Sequence, residues 1–244
     1  MQPYIFFDAG STLVFPDFLF LRQAALCRGY DLELPRWERA TAEFGHFYDE
    51  AIKNDLDHWG VDYFVAWVLE RLGIADEDVA PLAAEAQAAD SERGLWRHVY
   101  PWVPSTLQHL ASHGYRMSVI SNADGRVKQG LQELGLAGYF EEIFDSHVVG
   151  YHKPDRRLFD HALDRLGLKP SECLYVGDLY YVDILGANRA GIAAIHLDPY
   201  RLYNGFAGVH IPSVEAMPGL LQQELDLQGA DFFPLRGYQG QPIC

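Results

Sequence analysis

Five side chains scattered along the sequence have the types to bind a divalent cation and an anionic group together: the carboxylates Asp8, Asp178 and Asp183, the ammonium of Lys153 and the hydroxyl of Ser121. Asp8 closes the apolar run Tyr4-Ile5-Phe6-Phe7 and opens the turn Ala9-Gly10-Ser11-Thr12. An apolar run bounded by Gly and Ser reads as a strand followed by a turn. A carboxylate at the C-terminal end of such a strand lies where open α/β sheets place their ligands; an Asp there also serves as a plain Asx-turn residue. Ser121-Asn122 ends a second apolar run over 116–121, and Gly177-Asp178 ends a third over 173–176, with Asp183 five residues on. Lys153 stands in Tyr151-His152-Lys153-Pro154-Asp155, just behind the short run Ile143-Phe144. In a parallel sheet all of these side chains gather at one edge. Carboxylates that close repel and raise each other's pKa values, so Lys153 or a cation must compensate. Hard oxygen donors of this kind suit Mg²⁺.

The elements that must position these residues come in two styles. After Thr12 the pattern turns helical, with stripes over 18–26, from Leu34-Pro35 to Ile52, over 63–72 and over 76–91. These have helical spacing and stop signals, and no strand is expected within 17–92. From Trp96 onward strands alternate with helices expected over 104–113, 125–134, 154–166 and 182–190, with a last strand over 193–197. Such alternation implies a parallel sheet with right-handed crossovers. The expectation is an α/β, Rossmann-like doubly wound core over 1–15 and 96–244, with an all-helical cap inserted at 16–95. Residues 226–244, rich in Gly, Pro and Gln, read as irregular.

Composition narrows the functions. The chain is 49% hydrophobic and 22% charged, enough to bury a core. Its net charge of −15 argues against nucleic acids and anionic membranes as partners, since both need basic patches. A small anionic substrate remains compatible, because a local cation overrides the global field. Three scattered cysteines, Cys27, Cys173 and Cys244, form no disulfide framework, and neither a signal peptide nor a membrane span is visible. A cytoplasmic protein is expected, with its oligomeric state open. The ten histidines show no paired ligand spacing, so none is assigned to a metal.

The ordered set Asp8-Ala9-Gly10-Ser11-Thr12, Ser121, His152-Lys153-Pro154-Asp155 and Gly177-Asp178 through Asp183 resembles the four motifs of the haloacid dehalogenase superfamily, in its branch with a helical cap between the first two. The run Gly186-Ala187-Asn188-Arg189-Ala190-Gly191 is similar to the family's helix after the fourth motif. The resemblance implies that Asp8 is a nucleophile forming a covalent aspartyl intermediate. It implies that Ser121 and Lys153 hold the transferring group and that Thr12 orients the turn. It also implies that Asp8, the Gly10 carbonyl and Asp178 bind Mg²⁺, with Asp183 in support or touching the metal through water. Ser11, Asn122, Tyr180 and Tyr181 fall where substrate would bind, the two tyrosines in the loop after the 173–176 strand. The implied activity is a Mg²⁺-dependent phosphatase acting on a small phosphorylated metabolite.

One position departs from that pattern. Phosphatases of the family usually carry a second Asp two residues after the nucleophile, as general acid, and here it is Gly10. Positioned acid–base catalysis is typically worth about 10²–10⁴ in rate. Three explanations stay open. The substrate has a good leaving group, such as an aryl or acyl phosphate; or Ser11, His152, His46 or His58 supplies the proton; or the reaction differs. In the last case a metal-free 2-haloacid dehalogenase would need a cap arginine, for which Arg22, Arg36 and Arg39 are available. Phosphonate cleavage would need a cap lysine, and only Lys53 is present. A relative that binds a phosphorylated ligand or partner without turnover also fits Gly10. Bland readings stand beside these: Lys153 as a loop lysine, Ser121 as a strand end, and Asp178 and Asp183 as helix-capping acids. The aromatics Phe44, Phe47, Tyr48, Trp59, Tyr63, Phe64 and Trp67 read as helix-bundle core rather than a substrate box.

Overall fold

The computed structural model describes residues 2–54 and 60–228, with side chains through Gln222. His58, Trp59 and Cys244 therefore lie outside the described residues, as does most of the segment expected to be irregular.

The first strand, β1 (Tyr4–Phe7), is buried along its whole length, as a run of large apolar residues demands. The chain then turns, with the Leu13 amide donating to the Ala9 carbonyl at 2.9 Å. A two-residue strand β2 (Phe15–Pro16) leads into four helices, α1 (Phe18–Leu26), α2 (Leu34–Lys53), α3 (Val61–Leu72) and α4 (Asp76–Arg93). Asp17 caps α1 by accepting from the Phe20 amide, and Gly73 ends α3 in the left-handed conformation that glycine adopts without a Cβ penalty. There follow β3 (Trp96–His98), α5 (Trp102–Ser112), β4 (Met117–Ser121), α6 (Val127–Glu133), β5 (Ile143–Asp145), α7 (Ser146–Val149) and α8 (Arg156–Leu166). The chain continues through β6 (Cys173–Gly177), a wide π-type turn at Tyr180–Leu185, α9 (Gly186–Arg189), β7 (Ala193–Leu197), β8 (Val209–Ile211) and α10 (Met217–Gln228).

These elements form two compact units, residues 1–13 with 99–244, and residues 14–98. In the first, six parallel strands lie in the order β5-β4-β1-β6-β7-β8. The chain builds outward from β1 through β4 to β5 and then crosses back to β6, so the direction of winding reverses beside β1. Open sheets of this kind bind ligands at that reversal, outside the carboxyl ends of the strands. Tyr4 and Phe6 of β1 pack with Leu158, Phe159 and Ala162 of α8 and Ala187 of α9 in one buried cluster. By strand alternation Ile5 and Phe7, both wholly buried, face the opposite side.

The second unit is the helical block, closed at its ends by β2 pairing antiparallel with β3. Its core joins Phe18 and Leu21 of α1, Trp37 of α2, Phe64, Val65, Val68 and Leu69 of α3, and Leu82 and Ala86 of α4. Of the aromatics expected in that core, only Phe64 is buried among the described residues. Phe44 and Trp67 pack against the cluster from its margin, Phe47 and Tyr48 lie over Phe44, and Tyr63 is exposed. No described helix is long and apolar enough to cross a membrane.

Three details differ from expectation. The β2–β3 ribbon and β8 are strands of two or three residues, too short to show a period. The helix expected from Val182 begins instead at Tyr180 as a wide turn, a form frequent at functional sites. The end of the chain, expected to be irregular from 226, continues as α10 to Gln228.

Glycine at 186 allows α9 to reach α8. A Cβ there would lie 3.0 Å from the Phe159 ring and 3.2 Å from the Pro154 Cα, which is backbone and cannot rotate away. Gly186→Ala is therefore expected to lower the unfolding free energy by about 1–2 kcal/mol, read as a lower urea midpoint, strain from overpacking outweighing the ~1 kcal/mol helix-propensity gain. An unchanged or raised midpoint would show that the two helices have room to spare.

Candidate active site

The carboxyl ends of β1 and β6, and the loop that precedes α8, bring together Asp8, Lys153, Asp178 and Asp183. The Asp8 amide donates to the Val176 carbonyl at 2.8 Å, which fixes the residue beyond the end of β1 against its neighbour β6. Lys153 is almost completely buried, and each of its three ammonium protons has an acceptor. Nζ donates to Asp8 Oδ1 at 2.5 Å, to Asp183 Oδ1 at 2.7 Å and to the Tyr175 hydroxyl at 2.9 Å. Its main chain is held equally firmly. The Asn122 side chain accepts from the Lys153 N–H at 2.8 Å and donates to the Lys153 carbonyl at 2.9 Å, just before a cis peptide bond to Pro154.

Asp183 is set by the wide turn. Its second carboxylate oxygen accepts from the Leu179 amide at 3.0 Å, and its carboxyl group lies close against Gly177. A Cβ at position 177 would stand 2.5 Å from that carboxyl group, so β6 must end in glycine for Asp183 to reach Lys153. On the β4 side, Ser121 is buried at the strand end. The loop after it is pinned by Asp145, which accepts from the amides of Gly125 and His147, both at 2.9 Å.

The electrostatics follow from burial. One oxygen of each of Asp8, Asp178 and Asp183 lies within 4.8 Å of the others. Burial pushes the Asp8 carboxyl up to about 6 against the pull of Lys153, and the charge of Asp183 adds to the push. Asp178 is driven well above the usual carboxylate range by burial and by the charges of Asp183 and Asp8. Burial alone would lower Lys153, but the flanking charges of Asp183 and Asp8 reverse that and hold it above its ordinary value. Three carboxylates face one ammonium, so with all three ionised the cluster carries two negative charges in excess. A divalent cation with oxygen ligands matches that excess in sign and magnitude. Thr12 adds a second incomplete feature, a buried hydroxyl without a hydrogen-bond partner in the turn behind Asp8.

Several residues singled out in the sequence have other engagements. Asn122 is occupied by the Lys153 peptide on both sides of its amide and is placed to hold the lysine rather than a substrate. Tyr180 is buried, its hydroxyl donating to the Ala207 carbonyl at 2.7 Å and its ring packed against Tyr203, Phe206, His196 and His210. It belongs to the core and not to a binding surface. Tyr181 is half-buried, with the Arg189 guanidinium 4.8 Å from its ring centre. Ser11 takes a left-handed backbone conformation at φ 53° in the turn after Gly10. His152 is exposed, and His46 lies in α2 of the helical unit.

The residue that sequence reasoning missed is Tyr175, whose hydroxyl accepts from Lys153 and lies 3.0 Å from Asp183 Oδ1 and 3.1 Å from the Ile120 carbonyl. The available signal was one hydroxyl inside an otherwise apolar strand.

Comparison with known proteins follows the same lines. A family profile described as haloacid dehalogenase-like hydrolase matches residues 4–191. Over 98 residues the chain is 45% identical to a glyceraldehyde 3-phosphate phosphatase of Methanothermobacter thermautotrophicus, a match covering 39% of this chain and 43% of that protein. Over 191 residues it is 30% identical to a phosphoserine phosphatase of Thermus thermophilus, covering 73% of this chain and 75% of the relative. Matches to the first three curated relatives span 43%, 56% and 53% of their lengths. Among solved structures, a putative HAD-hydrolase of Bacillus subtilis bound to magnesium shares the fold with a TM-score of 0.64 at 18% identity, covering 90% of this chain and 98% of that one.

The raised Asp8 value has a measurable sign. The folded protein holds this proton more tightly than the unfolded chain, whose carboxyl titrates near 3.8. The stability contributed is full below that value and is lost as pH rises through about 6. With chelator present, the loss between pH 4 and 7 should be on the order of 3 kcal/mol. Urea midpoints across that range should show Asp8→Asn lacking this part of the decline, and parallel curves for the two proteins would contradict the assignment.

Proposed function

This chain belongs to the haloacid dehalogenase-like hydrolases, and we propose that it is a phosphatase in which Asp8 is the nucleophile and Mg²⁺ the cofactor. The observation that carries the reading is the contact of a buried ammonium with Asp8 Oδ1 and Asp183 Oδ1, at 2.5 and 2.7 Å, in a cluster that still lacks positive charge. A carboxylate pinned by one oxygen presents the other in a fixed direction, which is what in-line attack on phosphorus requires. Lys153 neutralises charge as it develops on the transferring group, and Ser121 donates a hydrogen bond to the same group. Asn122 and Tyr175 are positioning residues that act through Lys153. Asp8, Asp178 and the Gly10 carbonyl would hold Mg²⁺, with Asp183 supporting from behind. The ion would supply further neutralisation of phosphoryl charge.

The names of the matched phosphatases, for glyceraldehyde 3-phosphate and phosphoserine, support a small phosphorylated metabolite as substrate. The helical unit, expected as a cap over 16–95, is the part that would select it. The free thiols of Cys27 and Cys173 support a reducing cytoplasm. Gly10 supplies no proton to the leaving group, so the chemistry favours substrates whose leaving oxygen needs little protonation, such as aryl or acyl phosphates. The arginines that a dehalogenase would need are engaged within the helical unit. Arg22 donates to the Leu32 carbonyl at 2.8 Å, Arg36 to the Leu72 carbonyl at 2.9 Å, and Arg39 to Glu43 at 2.9 Å.

Phosphate release from para-nitrophenyl phosphate and from an alkyl phosphate, with and without Mg²⁺, tests this reading. Asp8→Asn should lose at least ~10³-fold in kcat. Gly10→Asp should speed the alkyl ester by up to ~10²–10⁴ and the aryl ester by less, since a poor leaving group gains most from a positioned acid. Undiminished activity in Asp8→Asn would remove the nucleophile, and chloride release from 2-chloropropionate without metal would make the protein a dehalogenase.

A further inference from the structure

A second group of metal-ligating side chains lies two strands away from Asp8. His196 and Asp198, two residues apart at the end of β7, project to the same face, and the parallel register sets His210 of β8 opposite His196. The Nδ1 atoms of the two histidines are 2.9 Å apart. Their other nitrogens face backbone oxygens, His196 Nε2 at 2.8 Å from the Asp178 carbonyl and His210 Nε2 at 3.1 Å from the Phe206 carbonyl. A carbonyl only accepts, so both Nε2 atoms carry the ring hydrogen, and with both rings neutral the two Nδ1 lone pairs point at each other. A carboxylate oxygen of Asp198 and one ring nitrogen of each histidine lie within 4.8 Å of one another. The same carboxylate is aimed by the Leu202 and Tyr203 amides, which donate to its two oxygens at 2.8 and 3.1 Å.

Two imidazole nitrogens with a carboxylate beside them make a donor set suited to a cation. Every donor is also oriented from behind by a hydrogen bond to or from the main chain, the arrangement that characterises protein metal ligands. Two imidazoles and one carboxylate select Zn²⁺ and neighbouring transition dications over Mg²⁺, which prefers oxygen. We propose that His196, His210 and Asp198 form a second metal site, for Zn²⁺ or a similar transition dication, separate from the Asp8 cluster. Its position gives it a structural task. It ties edge strand β8 to β7, and through His196 Nε2–H it braces the main-chain carbonyl of Asp178, a residue of the other site. The side chains of Tyr180, Tyr203 and Phe206 pack around the two rings, which explains why Tyr180 turns inward.

The test is calorimetric titration of the metal-free full chain with Zn²⁺ in excess Mg²⁺, for wild type, Asp8→Asn and His210→Gln. One equivalent should bind to wild type and to Asp8→Asn alike, and at least ~10-fold more weakly to His210→Gln, a loss no smaller than that seen when outer partners of a ligand are removed. Wild type loaded with Co²⁺ should in addition show paramagnetic shifts of the His196 and His210 ring signals, a readout that needs no variant to fold. Absence of Zn²⁺ uptake, equal affinity in His210→Gln, or unshifted ring signals would overturn the site and leave a histidine pair that shares a proton. Uptake abolished by Asp8→Asn would also overturn it, by assigning the ion to the carboxylate cluster.

Discussion

The ammonium of Lys153, enclosed by Asp8, Asp183 and Tyr175, is the interaction on which the rest of the site depends. Removing a charge from water costs several kcal/mol, and only close partners of opposite sign with complete hydrogen bonding recover it. Here all three ammonium protons are used. Two anions to one cation leave the balance negative, however, so the lysine cannot satisfy the cluster alone. Burial and the mutual repulsion of the carboxylates, which Lys153 only partly offsets, make Asp8 and Asp178 reluctant to ionise together. A site in this condition is poised to accept positive charge, and that property connects its stability to its chemistry.

Holding an ammonium at that point needs rigid support from several parts of the chain. Asn122 follows directly on Ser121, so the strand end that presents the hydroxyl also grips the lysine's peptide group on both sides. Gly177 ends β6 without a side chain, which frees the space that the Asp183 carboxyl fills. The wide turn at Tyr180–Leu185 then brings Asp183 back over the strand it has just left. Each support comes from main-chain geometry at a strand end. The six-stranded sheet therefore fixes the distances among the charged groups, and the loops serve mainly to carry them.

Much of this was legible in the sequence because the charged residues interrupt apolar runs. Asp8, Ser121 and Asp178 each terminate a buried strand, and a polar residue at that place in a parallel sheet has one edge to occupy. Lys153 was readable only in company with them, since a lysine before a proline in a loop is ordinarily solvated. The supports were harder to see. Asn122 looked like a substrate contact, because its real partner is a peptide group 31 residues away. Tyr175 and Tyr180 show the limit for aromatic residues, whose sequence context does not say whether the hydroxyl meets a lysine, a carbonyl or water. His196 and His210 carry no spacing signal, since what joins them is the register between two strands, one of which is too short to announce itself.

The ribbon formed by β2 and β3 has a consequence for how such a chain can change. Phe15 and His98 are paired across it, so the chain enters and leaves the helical unit at adjacent points. To the six-stranded sheet, everything between Leu13 and Val99 is topologically no more than a hairpin turn. The entropy of closing such a loop depends on where its ends are held and only weakly on its length. The insert can thus lengthen, shrink or be exchanged for an unrelated module without disturbing the register of β1 with β4 and β6. The geometry of the charged cluster and the make-up of the helical insert are in this sense separately heritable.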